Sequence, residues 1–131
     1  MEIKKKEFTY KGLAIEELKK LDVREFAKYL RSRQRRTVLR QFQKIENFIN
    51  RAREKQDKDK KIKTHQRDLV VVPQMVGMKI SIYNGNTFVP VEVSGEMLGH
   101  KFGEFSPTRN RVKHSSAGVG GTKGTRAKAK K

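Results

Sequence analysis

Charge is distributed very unevenly along this chain, and that distribution limits where a folded core can form. Residues 68–108 carry two basic and four acidic side chains. Residues 1–67 carry 22 basic and 10 acidic side chains, and residues 109–131 carry eight basic and no acidic ones. Because like charges repel in a compact state, we predict a small, nearly neutral core at 64–108. A basic helical extension at 1–63 precedes this core, and a disordered basic tail at 109–131 follows it.

The net charge of +18 in 131 residues indicates a polyanionic partner, and a pI near 10.4 is typical of a nucleic-acid-binding protein. The chain has no cysteine, which excludes disulfides and cysteine-ligated zinc. Its three histidines are too scattered to predict a metal site. No apolar run approaches the roughly 20 residues of a membrane span. We therefore expect a cytoplasmic protein that uses no cofactor, membrane or small-molecule substrate, and nothing in the sequence indicates catalysis.

The segment at 33–55 has the pattern of a long amphipathic helix, and Asp22 with Glu25 predicts a capping box for a shorter helix before it. Apolar residues recur at steps of three and four and so form one stripe. They are Val38, Phe42, Ile45, Ile49 and Ala52. Basic residues, chiefly arginines, dominate the exposed side of this region. They include Arg31, Arg33, Arg35, Arg36, Arg40, Lys44 and Arg51.

The planar guanidinium of arginine suits phosphate oxygens, so this basic face is predicted to bind the backbone of RNA or DNA. Two alternatives are a solvated charged face without a partner and a helix that lies on a membrane surface. Residues 56–63 after the helix are predicted to form a mobile charged linker or a frayed helix end.

The predicted core has three short segments of β-type sequence. Residues 69–72 are apolar and β-branched, which predicts a buried strand. Residues 78–83 and 86–93 alternate and flank Asn84-Gly85, a strong hairpin signal that would place Ile80 opposite Val89. Pro90 predicts an edge strand or a bulge. The predicted fold class is α+β, with a small antiparallel or mixed three-stranded sheet covered by helices.

The stretch EMLGHKFGEFSPTR at 96–109 mixes glycine, aromatic and basic residues. Gly99 and Gly103 allow close approach of another backbone or a positive φ, and His100 and Lys101 offer hydrogen-bond donors to phosphate. Two interpretations of Phe102 and Phe105 remain open. Their rings either close the edge of the sheet or stack on a splayed base.

Several of these residues resemble the signature of the small-subunit ribosomal protein nineteen family. They are Asn84-Gly85-Asn86, Val93, Leu98-Gly99, Phe102-Gly103-Glu104-Phe105 and Thr108. The similarity covers about 65–114 without a gap, and the SRQRR run at 32–36 resembles the archaeal and eukaryotic branch. The low-complexity ending is not matched residue by residue.

This resemblance implies a structural protein in the head of the small subunit. Such a protein would bind rRNA, pair with the neighbouring head protein thirteen and send its C-terminal tail toward tRNA. A free nucleic-acid-binding architectural protein is the alternative. The residues expected to contact RNA are Arg33, Arg35, Arg36, Arg40, His65, Arg67, Lys79, Asn84, Gly85, Gly99, His100, Lys101, Gly103, Thr108, Arg109, Arg111 and Lys113.

Overall fold

The computed structural model describes residues 6–114, which form an α+β fold with one long helix and a small mixed sheet. This confirms the predicted fold class. The N-terminal hairpin β1–β2 has no counterpart among the predicted elements. In chain order the elements are β1 (Thr9–Tyr10), β2 (Leu13–Ala14), α1 (Ile15–Lys20), α2 (Val23–Ala27), α3 (Ser32–Asp57), β3 (Ile62–Thr64), β4 (Lys79–Tyr83) and β5 (Phe88–Glu92).

Helix α3 contributes the longest apolar surface to the core, as its periodicity predicts. Val38, Ile45 and Ile49 on this stripe are almost completely buried. Phe42 is half-buried, and the guanidinium carbon of Arg24 in α2 lies 3.8 Å from its ring centre. With 26 residues, the helix is about 39 Å long at a rise of 1.5 Å per residue. It is therefore the rigid element along which the neighbouring segments are arranged.

Helix α2 begins with the predicted capping box. The Asp22 side chain caps the start of the helix, and the Asp22 amide donates to Glu25 Oε2 at 3.2 Å. Three residues of this short helix, Val23, Phe26 and Ala27, are buried. The box satisfies amide groups that the first turn of a helix leaves without partners.

Strand β4 is the central strand of the sheet, with β3 parallel to it on one side and β5 antiparallel on the other. Ile62 pairs with Ile80 and Thr64 pairs with Ile82, and all four side chains are buried. The linker predicted at 56–63 is therefore wrong for its last residues. A single buried–exposed–buried alternation inside a lysine-rich run is too short to stand out from the charges around it.

Residues 69–72 are buried and extended, but they are not a strand of this sheet. The Val71 amide donates to the His100 carbonyl at 2.8 Å, and the Phe102 amide donates to the Leu69 carbonyl at 3.0 Å. The prediction that 69–72 is buried is confirmed, and its assignment to the three-stranded sheet is wrong. All four side chains are buried, so the sequence pattern shows no single face that would identify the partner.

The β4–β5 hairpin is confirmed, but its register differs from the prediction by two residues. Ile80 lies opposite Val91 rather than opposite Val89. The Asn84 amide donates to the Thr87 carbonyl at 3.0 Å, and the Asn84 side chain accepts the Thr87 amide at 2.7 Å. This side-chain bond stabilises a loop of four residues instead of a two-residue turn. Because the shift is even, the same side chains still face the core.

Pro90 lies on the edge strand β5, as predicted, opposite Ser81. In an antiparallel ladder, hydrogen-bonded and non-bonded pairs alternate. The Val93 amide donates to the Met78 carbonyl at 3.0 Å, which makes the Ser81–Pro90 pair a non-bonded one. The proline nitrogen therefore faces away from β4, and the ladder loses no hydrogen bond.

Arg67 ties the sheet to the segment that follows it. Its guanidinium donates to the carbonyl oxygens of Tyr83 at 2.6 Å, Gly103 at 3.0 Å and Ser106 at 2.6 Å. The buried Ser106 hydroxyl donates to the Ile82 carbonyl at 3.2 Å. One cation thus donates hydrogen bonds to carbonyls at the end of β4 and at both ends of the turn from Gly103 to Ser106.

The N-terminal segment packs on the same hydrophobic core as the rest of the chain. The buried residues between Leu18 and Phe102 form one cluster. Gly95 leaves room for Phe8 and Ile15, because a Cβ at this glycine would lie 2.7 and 2.8 Å from their side chains. The predicted extension and the predicted core therefore differ in charge but share their apolar interior.

The tail predicted to be disordered, at 109–131, lies mostly outside the described residues. Residues 109–114, which are described, are exposed and belong to neither a helix nor a strand. They begin three residues after Ser106, whose carbonyl accepts a hydrogen bond from Arg67. Arg67 therefore positions the chain just before the tail.

Gly99 is required by the fold itself, since its φ is +81° and a Cβ there would lie 3.0 Å from Leu30 Cδ2. We predict that Gly99→Ala lowers the free energy of unfolding of the isolated protein by about 1–2 kcal/mol. The control Gly85→Ala has a φ of +101° but nothing within 4 Å of the added carbon, so it loses only about 1 kcal/mol. Urea denaturation measures both values, and wild-type stability of Gly99→Ala would contradict this role.

Arg67→Lys tests the second fold-determining contact. A lysine ammonium does not reproduce the planar fork of a guanidinium, so carbonyls that are bonded now would lose their donors. We expect the free energy of unfolding to fall by about 2 kcal/mol. The control Arg36→Lys, at an exposed position of α3, changes it by less than about 0.5 kcal/mol. Equal stability of the two variants would show that the three hydrogen bonds contribute little.

Candidate nucleic-acid interface

A basic groove runs along the N-terminal half of α3, and we call it the α3 groove. Side chains at steps of three and four lie next to each other on one side of a helix, and Lys101 from the segment after β5 joins them. The cations that line the groove are Arg33, Arg36, Arg40, Lys44 and Lys101. The other lining residues are Thr37, Gln41 and Asp68. The structure thus brings together the predicted basic face of the helix and the predicted donor Lys101.

The α3 groove has five cations and one carboxylate, and that carboxylate is not paired with any of them. Asp68 Oδ2 accepts a hydrogen bond from Gln41 Nε2 at 3.0 Å. Within residues 6–114, the one contact closer than 4 Å between a basic and an acidic side chain joins His100 to Glu104. The five cations therefore repel each other with only the Asp68 carboxylate as a counter-charge in the groove, and an anion bound between them would relieve this repulsion.

Arg35 differs from the other arginines of α3, because its guanidinium is bonded inside the protein. It donates to the carbonyl oxygens of Ala27 at 3.2 Å, Lys28 at 3.0 Å and Leu30 at 3.2 Å. These carbonyls lie at and just beyond the end of α2. At 100° per residue, position 35 lies well away from the groove side of α3, which explains why Arg35 turns toward α2. In this structure Arg35 therefore caps the preceding helix, and its contact with RNA stays a prediction.

Arg67 and Gly103 also have contacts within the protein, and their predicted contacts with RNA stay predictions. The Arg67 guanidinium binds three carbonyls, as described above, and a Cβ at Gly103 would lie 3.2 Å from the Arg67 carbonyl oxygen. Gly103 therefore has no side chain because the protein backbone, rather than an RNA backbone, comes close. Gly99 is buried and adopts a positive φ, so it too has a reason within the protein.

His100 is exposed, and its Nδ1 lies 2.6 Å from Glu104 Oε2. Beside it lies a shallow depression lined in part by Tyr10, Arg31 and Gln34. Burial raises the pKa of the Tyr10 hydroxyl and the nearby Arg31 lowers it, with burial the larger effect. The tyrosine is therefore a neutral hydrogen-bonding group in this depression, which the cations Arg31 and Lys11 also line.

Phe102 and Phe105, which lie between Lys101 and Ser106, both pack against the protein core. The Phe102 side chain is 1% exposed, and its ring meets Phe48 of α3 edge to face with centroids 5.4 Å apart. Phe105 is half-buried and packs on the core, with its ring centroid 6.1 Å from that of His100. Of the two interpretations, closing the edge of the core describes Phe102 in this structure. Its ring is not available to a base.

The other predicted contacts lie outside the α3 groove. Asn84 and Gly85 form the β4–β5 loop, and the Asn84 side chain is bonded within that loop. His65 and Lys79 are exposed on the outer face of the sheet. The remaining predicted contacts are exposed at the start of the tail. They are Thr108, Arg109, Arg111 and Lys113.

The candidate list omitted Lys44, although it belongs to the same helical stripe as Arg36 and Arg40. It also omitted Gln41, which follows Arg33 and Thr37 at steps of four on α3, and Asp68, whose proximity depends on how 67–71 packs beside α3. Among residues 6–114 there is no helix long and apolar enough to cross a membrane. The same residues contain no group of three or more metal-ligating side chains.

Comparison with known proteins identifies the family. The model of the family described as ribosomal protein S19 matches residues 31–114. The small ribosomal subunit protein uS19 of Methanocella arvoryzae is 45% identical over 127 residues, which cover 94% of this chain and 86% of the relative. The protein of the same name from Methanococcoides burtonii is 37% identical over 123 residues, with 94% and 88% covered. The matched region includes α3, the sheet and the segment around Lys101. The chain therefore belongs to the ribosomal protein S19 family.

Proposed function

We propose that this protein is a structural constituent of the small ribosomal subunit and binds rRNA in the subunit head through the α3 groove. The observation that carries the proposal is the groove itself, in which five cations have no paired carboxylate. Membership of a ribosomal protein family supports the proposal, and such a protein is a structural component rather than an enzyme. Its place of action is the cytoplasmic ribosome.

The arrangement of the groove suits a phosphate backbone better than a small anion. Arg33, Arg36 and Arg40 extend over about two turns of α3, roughly 10 Å at 1.5 Å per residue. Such a row of guanidinium groups can contact successive phosphates, each with a planar pair of donors. A single small anion would occupy only part of this row. The groove therefore favours a polymer as the ligand.

Two further partners belong to the proposal and rest on the family resemblance. One is the neighbouring head protein thirteen, and the other is tRNA, which the tail at 109–131 would approach. The exposed basic residues Arg109, Arg111 and Lys113 at the start of this tail support its contact with nucleic acid. The remainder of the tail lies outside the described residues.

A free architectural protein that compacts nucleic acid would have the same charge, so sedimentation separates the two functions. We expect the protein to co-migrate with small subunits from cell extract in moderate salt. Recovery of the whole protein in a free or DNA-bound fraction would contradict the proposal and favour the architectural alternative, which the names of the relatives do not support.

The double variant Arg36→Gln with Arg40→Gln tests the groove. RNA binding releases counterions, and the slope of log K against log salt falls by roughly 0.7–0.9 for each lost phosphate contact. We predict that this variant lowers the slope for an rRNA head fragment by about 1.4–1.8 and weakens binding at low salt. Titrations at several salt concentrations measure the slope.

The matched control is Lys19→Gln with Lys20→Gln, which removes the same charge from exposed positions of α1. We expect this control to change the slope by much less. Equal slopes for the two double variants would mean that diffuse charge, rather than the α3 groove, binds the RNA. Arg36→Lys with Arg40→Lys then separates charge from geometry, because it keeps the charge and removes the planar fork. Arg35 stays unchanged in all variants, since its substitution would disturb α2.

A further inference from the structure

The outer face of the sheet carries a cluster of three rings, which we call the aromatic cluster. His65 follows β3, Tyr83 ends β4 and Phe88 begins β5. The ring centroids are 4.6 Å apart for His65 and Tyr83, 5.1 Å for His65 and Phe88, and 5.1 Å for Tyr83 and Phe88. The imidazole is exposed and the other two rings are half-buried. All three therefore present part of their surface to solvent.

Strand alternation explains why these rings share a face with lysines. Ile80 and Ile82 point to the core, so the residues between and after them in β4 point outward. Lys63 and Lys79 are exposed on the outer face, and Lys63 Nζ lies 5.1 Å from the Phe88 ring centroid. The outer face thus combines aromatic surface with positive charge.

Packing inside the protein does not account for this combination. Single exposed apolar side chains are common and need no explanation, whereas neighbouring rings that share a partly exposed surface are a candidate for an interaction site. Basic residues border the cluster on two sides. Arg51 and Lys55 of α3 line the depression next to His65, and Lys60 and Lys61 line the one that extends along the outer face past Phe88. Asp59 lines the second depression and Glu92 lies opposite Lys79, but the six basic residues outnumber these two carboxylates, so the net charge around the rings is complementary to phosphate.

We propose that the outer face of the sheet binds an unpaired segment of RNA, with a base stacked on the aromatic cluster and the adjoining phosphates on the surrounding lysines. This inference rests on the proposed RNA-binding function and adds a second site of different chemistry. The α3 groove contacts only phosphates, which paired and unpaired RNA both present. The faces of bases are accessible to protein rings only where the strand is unpaired.

The two sites are separate along the molecule. Arg40 in the α3 groove and Lys55 beside the aromatic cluster are both in α3, and 15 residues at 1.5 Å correspond to about 22 Å. A helix of this length keeps the two sites at a fixed distance. The protein can therefore hold a phosphate backbone at one site and a neighbouring unpaired segment at the other.

The test uses the full-length protein and two probes, a short unpaired RNA with 2-aminopurine as the fluorescent base and a duplex RNA of the same length. Phe88→Leu keeps an apolar side chain but removes the ring, and His65→Ala changes an exposed residue. Tyr29→Leu is the matched control, because Tyr29 is 36% exposed and lies in neither site. Thermal unfolding verifies that each variant is folded.

We expect Phe88→Leu and His65→Ala each to weaken binding of the unpaired probe about tenfold, as typical of a lost stacking contact. Quenching of the 2-aminopurine should fall as well, while duplex affinity and the Tyr29→Leu control stay at the wild-type level. Wild-type affinity for the unpaired probe in the folded variants would overturn the inference and leave the face to a protein neighbour. Equal loss for both probes would also overturn it. If Phe88→Leu unfolds, His65→Ala decides alone.

These outcomes separate the inference from the proposed function. If only the inference fails, the wild-type protein still binds the rRNA head fragment and Arg36→Gln with Arg40→Gln still reduces the salt slope. If the proposed function fails, the wild-type protein does not bind the rRNA fragment and the duplex probe, or it binds them with an affinity that does not depend on the α3 groove.

Discussion

The hydrogen bonds of the Arg67 guanidinium are the interaction that joins the sheet to the last part of the described chain. They hold the end of β4 and the turn from Gly103 to Ser106 against one side chain. That turn follows Lys101, which the bridge to Val70 and the backbone bonds of its two neighbours hold beside α3. Without the Arg67 guanidinium, the carbonyls of Gly103 and Ser106 would lose these donors just before the tail begins. A cation that the sequence presents as one basic residue among 32 is thus an internal structural group.

The remaining cations make a different contribution, because the described residues hold almost no ion pairs to balance them. Arginines in the α3 groove and lysines on the outer face of the sheet repel their neighbours in the free protein. An anionic polymer that binds only the folded chain would both relieve this repulsion and stabilise the fold through linkage. The compact apolar core and the unbalanced surface are therefore consistent with each other. The core supplies a rigid shape, and the proposed RNA would balance the charge of the surface.

The sequence predicted the features that depend on local pattern and missed those that depend on tertiary contacts. The periodicity of 33–55, the capping box at Asp22 and the edge position of Pro90 all follow from spacing or from one residue's chemistry. The parallel partner β3 is three residues long, and periodicity cannot distinguish it from the lysine-rich run around it. For the site, the basic stripe of α3 and Lys101 were predictable. The hydrogen bonds of Arg35 and Arg67 within the protein were not predictable. In a sequence, an arginine that binds protein carbonyls cannot be distinguished from one that is free to bind phosphate.

The central claim is that an rRNA backbone lies in the α3 groove, and a map of protein–RNA crosslinks in purified small subunits tests it most directly. We expect crosslinked peptides to contain Arg36, Arg40, Lys44 or Lys101, all attached to one continuous stretch of rRNA. The exposed Lys19 and Lys20 of α1 serve as internal controls and should yield fewer crosslinks. A map in which α3 between residues 33 and 44 forms no crosslinks, while α1 does, would contradict the claim and place the rRNA on another surface.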